Sequence, residues 1–263
     1  MAISVLIVQY LGSNFNGFQR QKEFPTVQGS LERVLKIILR EAITVVPAGR
    51  TDTGVHAKGM PVSFSTTKPI ENYHRLLIAL NSLLDKGVTV LAAAAMPDRF
   101  HARFSCTERE YEYWILHSRQ PSALMEGRAL RIHKDLDWES LKKEIPVFLG
   151  KHKFSSFAKV SSIEGKSTER VIHKIEITSS NDWKGLYKIS IKGTGFLHNM
   201  VRIIVGTLLD KTTGKIEMNL EEILQSENRT LAGRTLPPYG LYFKKASYRD
   251  YPEIEALYDS EVC

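Results

Sequence analysis

Gly49-Arg50-Thr51-Asp52-Thr53-Gly54-Val55-His56-Ala57 places a carboxylate, a fixed cation and a titratable ring together on one short glycine-bounded connection. A carboxylate so placed can act as a nucleophile or a general base. A plain turn uses Asp and Gly but has no need of Arg50 and His56. A second segment, Lys192 to Arg202, leads into a run that is apolar on almost every side of a helix: Leu197, Met200, Val201, Ile203, Ile204, Val205, Leu208 and Leu209. Arg202 sits inside that run. A buried guanidinium is costly without an anion, so Arg202 calls for a carboxylate from elsewhere, unless its stem carries the charge out to solvent. Asp52 is the best candidate partner, and an Asp held that way would stay ionised and present a fixed oxygen. The Gly193-Thr194-Gly195 string is not a dinucleotide fingerprint, because it lacks the third glycine and the later acidic residue.

Phe100-His101-Ala102-Arg103-Phe104-Ser105 interleaves rings with a cation, which suits stacking on bases and contact with phosphate. In Tyr111-Glu112-Tyr113-Trp114, strand alternation puts Tyr111 and Tyr113 on one face and Trp114 on the other, with Tyr113 expected in the core. A polar stretch from Lys159 to Glu169 reads as a solvated loop.

The elements that must position these groups follow from periodicity. Ile3 to Tyr10 reads as a strand, then a helix from about Thr26 to Arg40 and strands at Ile43 to Pro47 and Lys58 to Ser65. A helix after Pro69 and a strand at Val88 to Ala93 complete a βαββαβ order. The second half repeats it: strand Tyr111 to Leu116, helix Leu136 to Leu149, strands Val171 to Thr178 and Leu186 to Ile191, helix Phe196 to Asp210 and strand Gly240 to Ala246. A helix at Leu220 to Gln225 and the Lys159 to Glu169 loop are insertions on that plan. The expectation is an α+β protein of two ferredoxin-like halves with antiparallel sheets side by side and a cleft between them. Its domains would be 1–105, 106–247 and a tail at 248–263.

Composition sets the bounds. A chain of 263 residues, 43% hydrophobic and 25% charged, can bury a full core, and a net charge of +7 suits a polyanionic partner. Cys106 and Cys263 are too few for a disulfide framework or a cysteine zinc site. The opening Met1 to Val8 lacks the basic start of a signal peptide, and no run approaches the roughly 20 apolar residues of a membrane span. A reducing cytoplasm is therefore the expected setting.

GRTDTGVHA closely resembles the catalytic loop of the bacterial tRNA pseudouridine synthase A family, which usually has Ala where this chain has Thr53. Phe196 to Arg202 is similar to the family segment whose Arg pairs with the catalytic Asp, and FHARFS matches its RNA-contacting string. Tyr10 to Gln21 resembles its first motif, with Leu11 where Asp is usual and Phe18 where Trp is usual; Glu110 and Glu112 stand where relatives often have basic side chains. The likeness spans nearly all of residues 3 to 247.

That resemblance implies Asp52, Arg202 and Tyr111 as the catalytic set, with Arg202 orienting Asp52 and Tyr111 stacking on the target uracil. It implies RNA contacts from Arg50, Phe100, His101, Ala102, Arg103, Phe104, Lys166 and Arg170. The substrate would be uridine 38, 39 or 40 of the tRNA anticodon stem-loop, the assembly a homodimer, and no cofactor or metal would be needed. Two other functions are weighed. Asp52-Thr53-Gly54 spells the DTG of aspartic hydrolases, but it occurs once, beside an Arg that opposes proton sharing. A non-catalytic RNA-binding module would suit the ferredoxin-like halves and the charge, but would leave Asp52 and Arg202 without a purpose.

Overall fold

The computed structural model describes residues 1–259; Cys263 and the end of the expected tail lie outside them. In chain order the elements are β1 (Ala2–Tyr10), α1 (Val27–Leu39), β2 (Val46–Pro47), β3 (His56–Thr66), α2 (Tyr73–Leu83), β4 (Val88–Met96), β5 (Glu108–His117) and β6 (Leu130–Ile132). Then come α3 (Trp138–Glu144), β7 (Gly150–Lys153), β8 (Glu169–Ser179), β9 (Leu186–Gly193), α4 (Met200–Thr212), α5 (Leu220–Gln225), β10 (Leu241–Ser247) and α6 (Glu253–Asp259). The chain packs as two compact units: Met1–Arg109 with the segment from Tyr242 onward, and Glu110–Leu241. Among the described residues no helix is long and apolar enough to cross a membrane.

In the first unit, β1 pairs antiparallel with β3 on one side and β4 on the other, and β2 adds antiparallel to β3. This β4-β1-β3-β2 order, with α1 and α2 following β1 and β3, is ferredoxin-like. Val5, Leu6, Ile7 and Val8 of β1 are fully buried with Leu31, Val34 and Leu35 of α1. Thr26 starts α1 by accepting the Gly29 N–H at 3.2 Å, and Asn72 starts α2 by accepting the Arg75 N–H at 2.8 Å.

The strand expected over Ile43 to Pro47 is only two residues long. The Val45 N–H goes to the buried Glu32 carboxylate at 3.1 Å instead of to a ladder. At the other end of β3, β10 adds in parallel through Tyr242 opposite His56 and Phe243 opposite Ala57. Helix α6 follows, with its Tyr258 phenol accepting the Ala246 N–H at 2.9 Å.

In the second unit, β8 pairs antiparallel with β9 and with β7, and β6 lies parallel to β5. The expected Leu136 to Leu149 helix divides into α3 and a 3-10 turn, Ile145–Phe148, where Pro146 cannot continue the α-helical ladder. The helix expected from Phe196 starts at Met200, because Asn199 takes a left-handed φ of 66°. Its apolar positions are buried as their pattern required, with Ile204, Val205 and Leu208 fully so.

Tyr113 is a core residue, fully buried, and its phenol donates to the Pro237 carbonyl at 2.9 Å. Burial, more than the neighbouring Tyr239, pushes that phenol far above the ordinary tyrosine range, so it remains a donor. Tyr113→Phe should lower stability by about 1 kcal/mol by removing a part-buried hydrogen bond. Urea unfolding checks this; a loss below about 0.3 kcal/mol would mean the bond is dispensable.

Candidate functional site

The Asp52 loop is held from beneath by the first motif. The β1–β3 register shifts between Val8 and Tyr10, and the Tyr10 phenol shares a buried hydrogen bond of 2.7 Å with Thr51 Oγ1. The Phe18 N–H donates to the Thr51 carbonyl at 3.1 Å, and the Val55 N–H to the Asp52 carbonyl at 3.1 Å. Gly12 passes so close that a Cβ on it would lie 2.1 Å from the Val55 oxygen. Its N–H donates to His56 Nδ1 at 3.0 Å, and the buried His56 ring stacks on Tyr242 at 4.7 Å.

His56 is therefore part of the scaffold that holds the loop. Phe18, at the usual Trp position, is fully buried with its ring 6.1 Å from that of Tyr10, while Leu11 reaches the surface. Within this frame Asp52 is half-buried and Arg50 exposed.

Phe100 to Ser105 lies in the same unit. Phe100 is buried against Tyr248 and Tyr251, with ring centroids 5.3 and 5.0 Å away, so it anchors the turn. Ala102 is fully buried; its N–H donates to Ser63 Oγ at 3.1 Å and its carbonyl accepts from the Tyr248 phenol at 2.7 Å. These two residues fix the turn's shape. Arg103 and Phe104 are exposed at its tip, where the Phe104 ring stacks on His101 at 4.3 Å. His101 Nδ1 accepts the Arg103 and Phe104 N–H groups at 3.2 and 3.1 Å.

Arg109 links the two loops: its Nε donates to the Ala48 carbonyl at 2.9 Å and one terminal nitrogen to the Arg103 carbonyl at 3.0 Å. These bonds make Arg109 a staple between the two loops. No sequence signal marks this, since one surface-type Arg reads like another.

In the second unit, Tyr111, Arg202 and Arg170 gather around Gly193 to Arg202. The Tyr111 ring is buried and meets Phe196 edge-on at 5.2 Å. Arg202 is half-buried; its Nε donates to the Leu236 carbonyl at 2.6 Å and Nη1 to Asn199 Oδ1 at 2.8 Å. Asn199, the residue at the helix start, thus spends its side chain on the guanidinium and makes no side-chain cap. A Cβ on Gly195 would lie 3.8 Å from Arg170 Nε, and the Thr194 N–H donates to the Val171 carbonyl at 3.0 Å. Lys166 is exposed on the loop before β8, and the Lys159 N–H ties that loop's start to the His198 carbonyl at 3.1 Å.

Glu112 is buried and accepts from Trp114 Nε1 at 3.1 Å, while Glu110 accepts from Ser190 Oγ. Both acids are engaged in the sheet. Among the described residues no group of three or more His, Cys, Asp or Glu side chains is placed to hold a metal ion.

Residues 145–249 match the family described as tRNA pseudouridine synthase. The chain is 50% identical over 257 residues to tRNA pseudouridine synthase A of Leptospira biflexa serovar Patoc, covering 96% of each. The chain belongs to the tRNA pseudouridine synthase A family. Other members include those of Acetivibrio thermocellus (38% identical, 92% of this chain and 98% of that one) and Bacillus licheniformis (40%, 92% and 97%). The family's proteins are isomerases, and its span takes in both compact units, the Asp52 loop and the α4 arginine included.

Proposed function

We propose that this chain converts uridine to pseudouridine at positions 38, 39 and 40 of the tRNA anticodon stem-loop. The observation that carries this reading is the Asp52 loop itself. Thr51 and Val55 on either side are buried and hydrogen-bonded, yet the carboxylate between them is half-exposed. A loop held so firmly around one accessible acid suits a reacting group.

The reaction breaks the N1–C1′ bond, turns the uracil, joins C5 to C1′, removes the C5 proton and returns a proton to N1. Atoms and electrons balance within the nucleotide, so no oxidant or cofactor is demanded. Asp52 is the reacting carboxylate. Attack at C1′, attack at C6 and removal of the C2′ proton each require it. Arg202 orients that carboxylate, and Tyr111 stacks on the loosened base and receives the C5 proton. The target must leave its stack to reach them. Arg50, His101, Arg103, Phe104, Lys166 and Arg170 grip the RNA, with Phe100 and Ala102 fixing the turn. The protein acts in the cytoplasm as a homodimer.

The test is to incubate the purified protein alone with unmodified tRNA and map pseudouridine by nucleotide. Modification confined to positions 38–40 supports the reading; a folded, tRNA-binding protein that forms none would overturn it. Phe104, 78% exposed, is positioned as a stacking platform. Phe104→Ala should weaken tRNA binding about tenfold, read by filter binding, and leave the rate at saturating tRNA within about twofold. Unchanged affinity would remove Phe104 from the interface.

A further inference from the structure

Arg202, Gly206 and Asp210 recur every four residues along one face of α4, and the segment Gly233–Leu236 lies along that face. At one end, the Arg202 Nε donates to the Leu236 carbonyl at 2.6 Å and the Leu236 N–H returns to the Arg202 carbonyl at 3.4 Å. In the middle the two backbones touch. A Cβ on Gly206 would sit 2.0 Å from the Arg234 carbonyl oxygen, and one on Gly233 would sit 2.6 Å from Thr207 Cα. The Gly233 N–H donates to Thr207 Oγ1 at 2.9 Å.

At the far end the Arg234 N–H donates to Asp210 Oδ2 at 3.2 Å. Among the described residues Asp210 Oδ1 has no hydrogen-bond partner; it faces the Arg234 Nε at 3.5 Å and the Lys215 Nζ at 3.6 Å. Asp210 is buried near the C-terminus of α4, where the helix dipole disfavours an anion. It is not there for the helix's own stability.

We propose that Gly233–Leu236, clamped to α4 by Gly206, Thr207 and Asp210, is a positioning device that sets where the Arg202 guanidinium stands. The clamp rests on the role proposed above for Arg202. Thr207, Gly206 and Asp210 are positioning residues: they act on the reaction through the Leu236 carbonyl and touch no substrate. Displacing that carbonyl by about 1 Å can cost about 10²-fold in rate while leaving RNA contacts in place.

Four variants are compared in single-turnover assays with saturating tRNA, together with tRNA affinity and thermal unfolding: Gly206→Ala, Thr207→Val, Arg202→Ala and the double variant Arg202→Ala/Thr207→Val. Leu220→Ala in α5 controls for lost stability. Thr207→Val keeps the shape but removes the acceptor for Gly233, so it tests the clamp even if Gly206→Ala fails to fold.

The expected result is a rate loss of about 10²-fold for Gly206→Ala and about tenfold for Thr207→Val, with tRNA affinity within about twofold. The double variant should be no slower than Arg202→Ala alone, because the clamp has nothing left to position. Normal turnover by Thr207→Val and by any folded Gly206→Ala, beside an inactive Arg202→Ala, would remove the clamp and leave the functional reading intact. So would losses matched by Leu220→Ala at equal destabilisation, or full additivity in the double variant. Full turnover by Arg202→Ala would remove the role of Arg202 itself.

Discussion

Asp52→Asn is expected to bind tRNA with affinity within about threefold of the parent and to form pseudouridine at least about 10⁴-fold more slowly, a barrier increase of about 5 kcal/mol. The carboxamide has the same shape, and the loop's support is backbone and neighbouring side chain: the Tyr10–Thr51 bond, Phe18 N–H to Thr51 and Val55 N–H to the Asp52 carbonyl. These three bonds do not use the carboxylate and stay in place in the amide. Each chemical route needs an anionic oxygen that the amide lacks. The measurement is a single-turnover time course on unmodified tRNA, paired with equilibrium binding. Turnover within about tenfold of the parent would show that another group does the chemistry.

Gly12→Ala should lower both stability and rate, although Gly12 touches no substrate in the proposed reaction. Its Cβ would lie 2.1 Å from the Val55 carbonyl oxygen and 2.7 Å from the Gly54 carbonyl carbon, so the backbone must move. The neighbours are the loop itself, not a flexible side-chain tip. The expected cost is about 1–3 kcal/mol of stability, with a rate loss of about 10²-fold as the Asp52 loop is pushed outward and the Gly12–His56 bond breaks. Chemical denaturation and single-turnover rate together check it. Parent-like values in both would show that the close approach is not needed to place Asp52.

Much of this architecture was legible because apolar periodicity reports burial directly. The Leu31, Val34, Leu35 spacing marked α1 and the apolar run around Arg202 marked a buried helix, whereas β3 is buried at Pro61 and Ser63 as well as at Met60, Val62 and Phe64. Non-local or one-residue effects were not legible. Val46–Pro47 is cut short by a carboxylate on another element, and β10 meets β3 across most of the chain's length. The start of α4 was set by Asn199 adopting a left-handed backbone, a choice that Asn permits without requiring. Within the site, residue type singled out Asp52 and Arg202. The same reasoning passed over Gly12 and Asp210, whose work lies in backbone contacts that no side-chain pattern announces.

Arg109 joins the root of the Asp52 loop, at Ala48, to the turn that ends in exposed Phe104. A lysine could not make both bonds at once, since its single ammonium lacks the spread of the guanidinium fork. The consequence is mechanical. Because both bonds come from one planar guanidinium, a shift of the outer turn is passed rigidly to the root of the Asp52 loop.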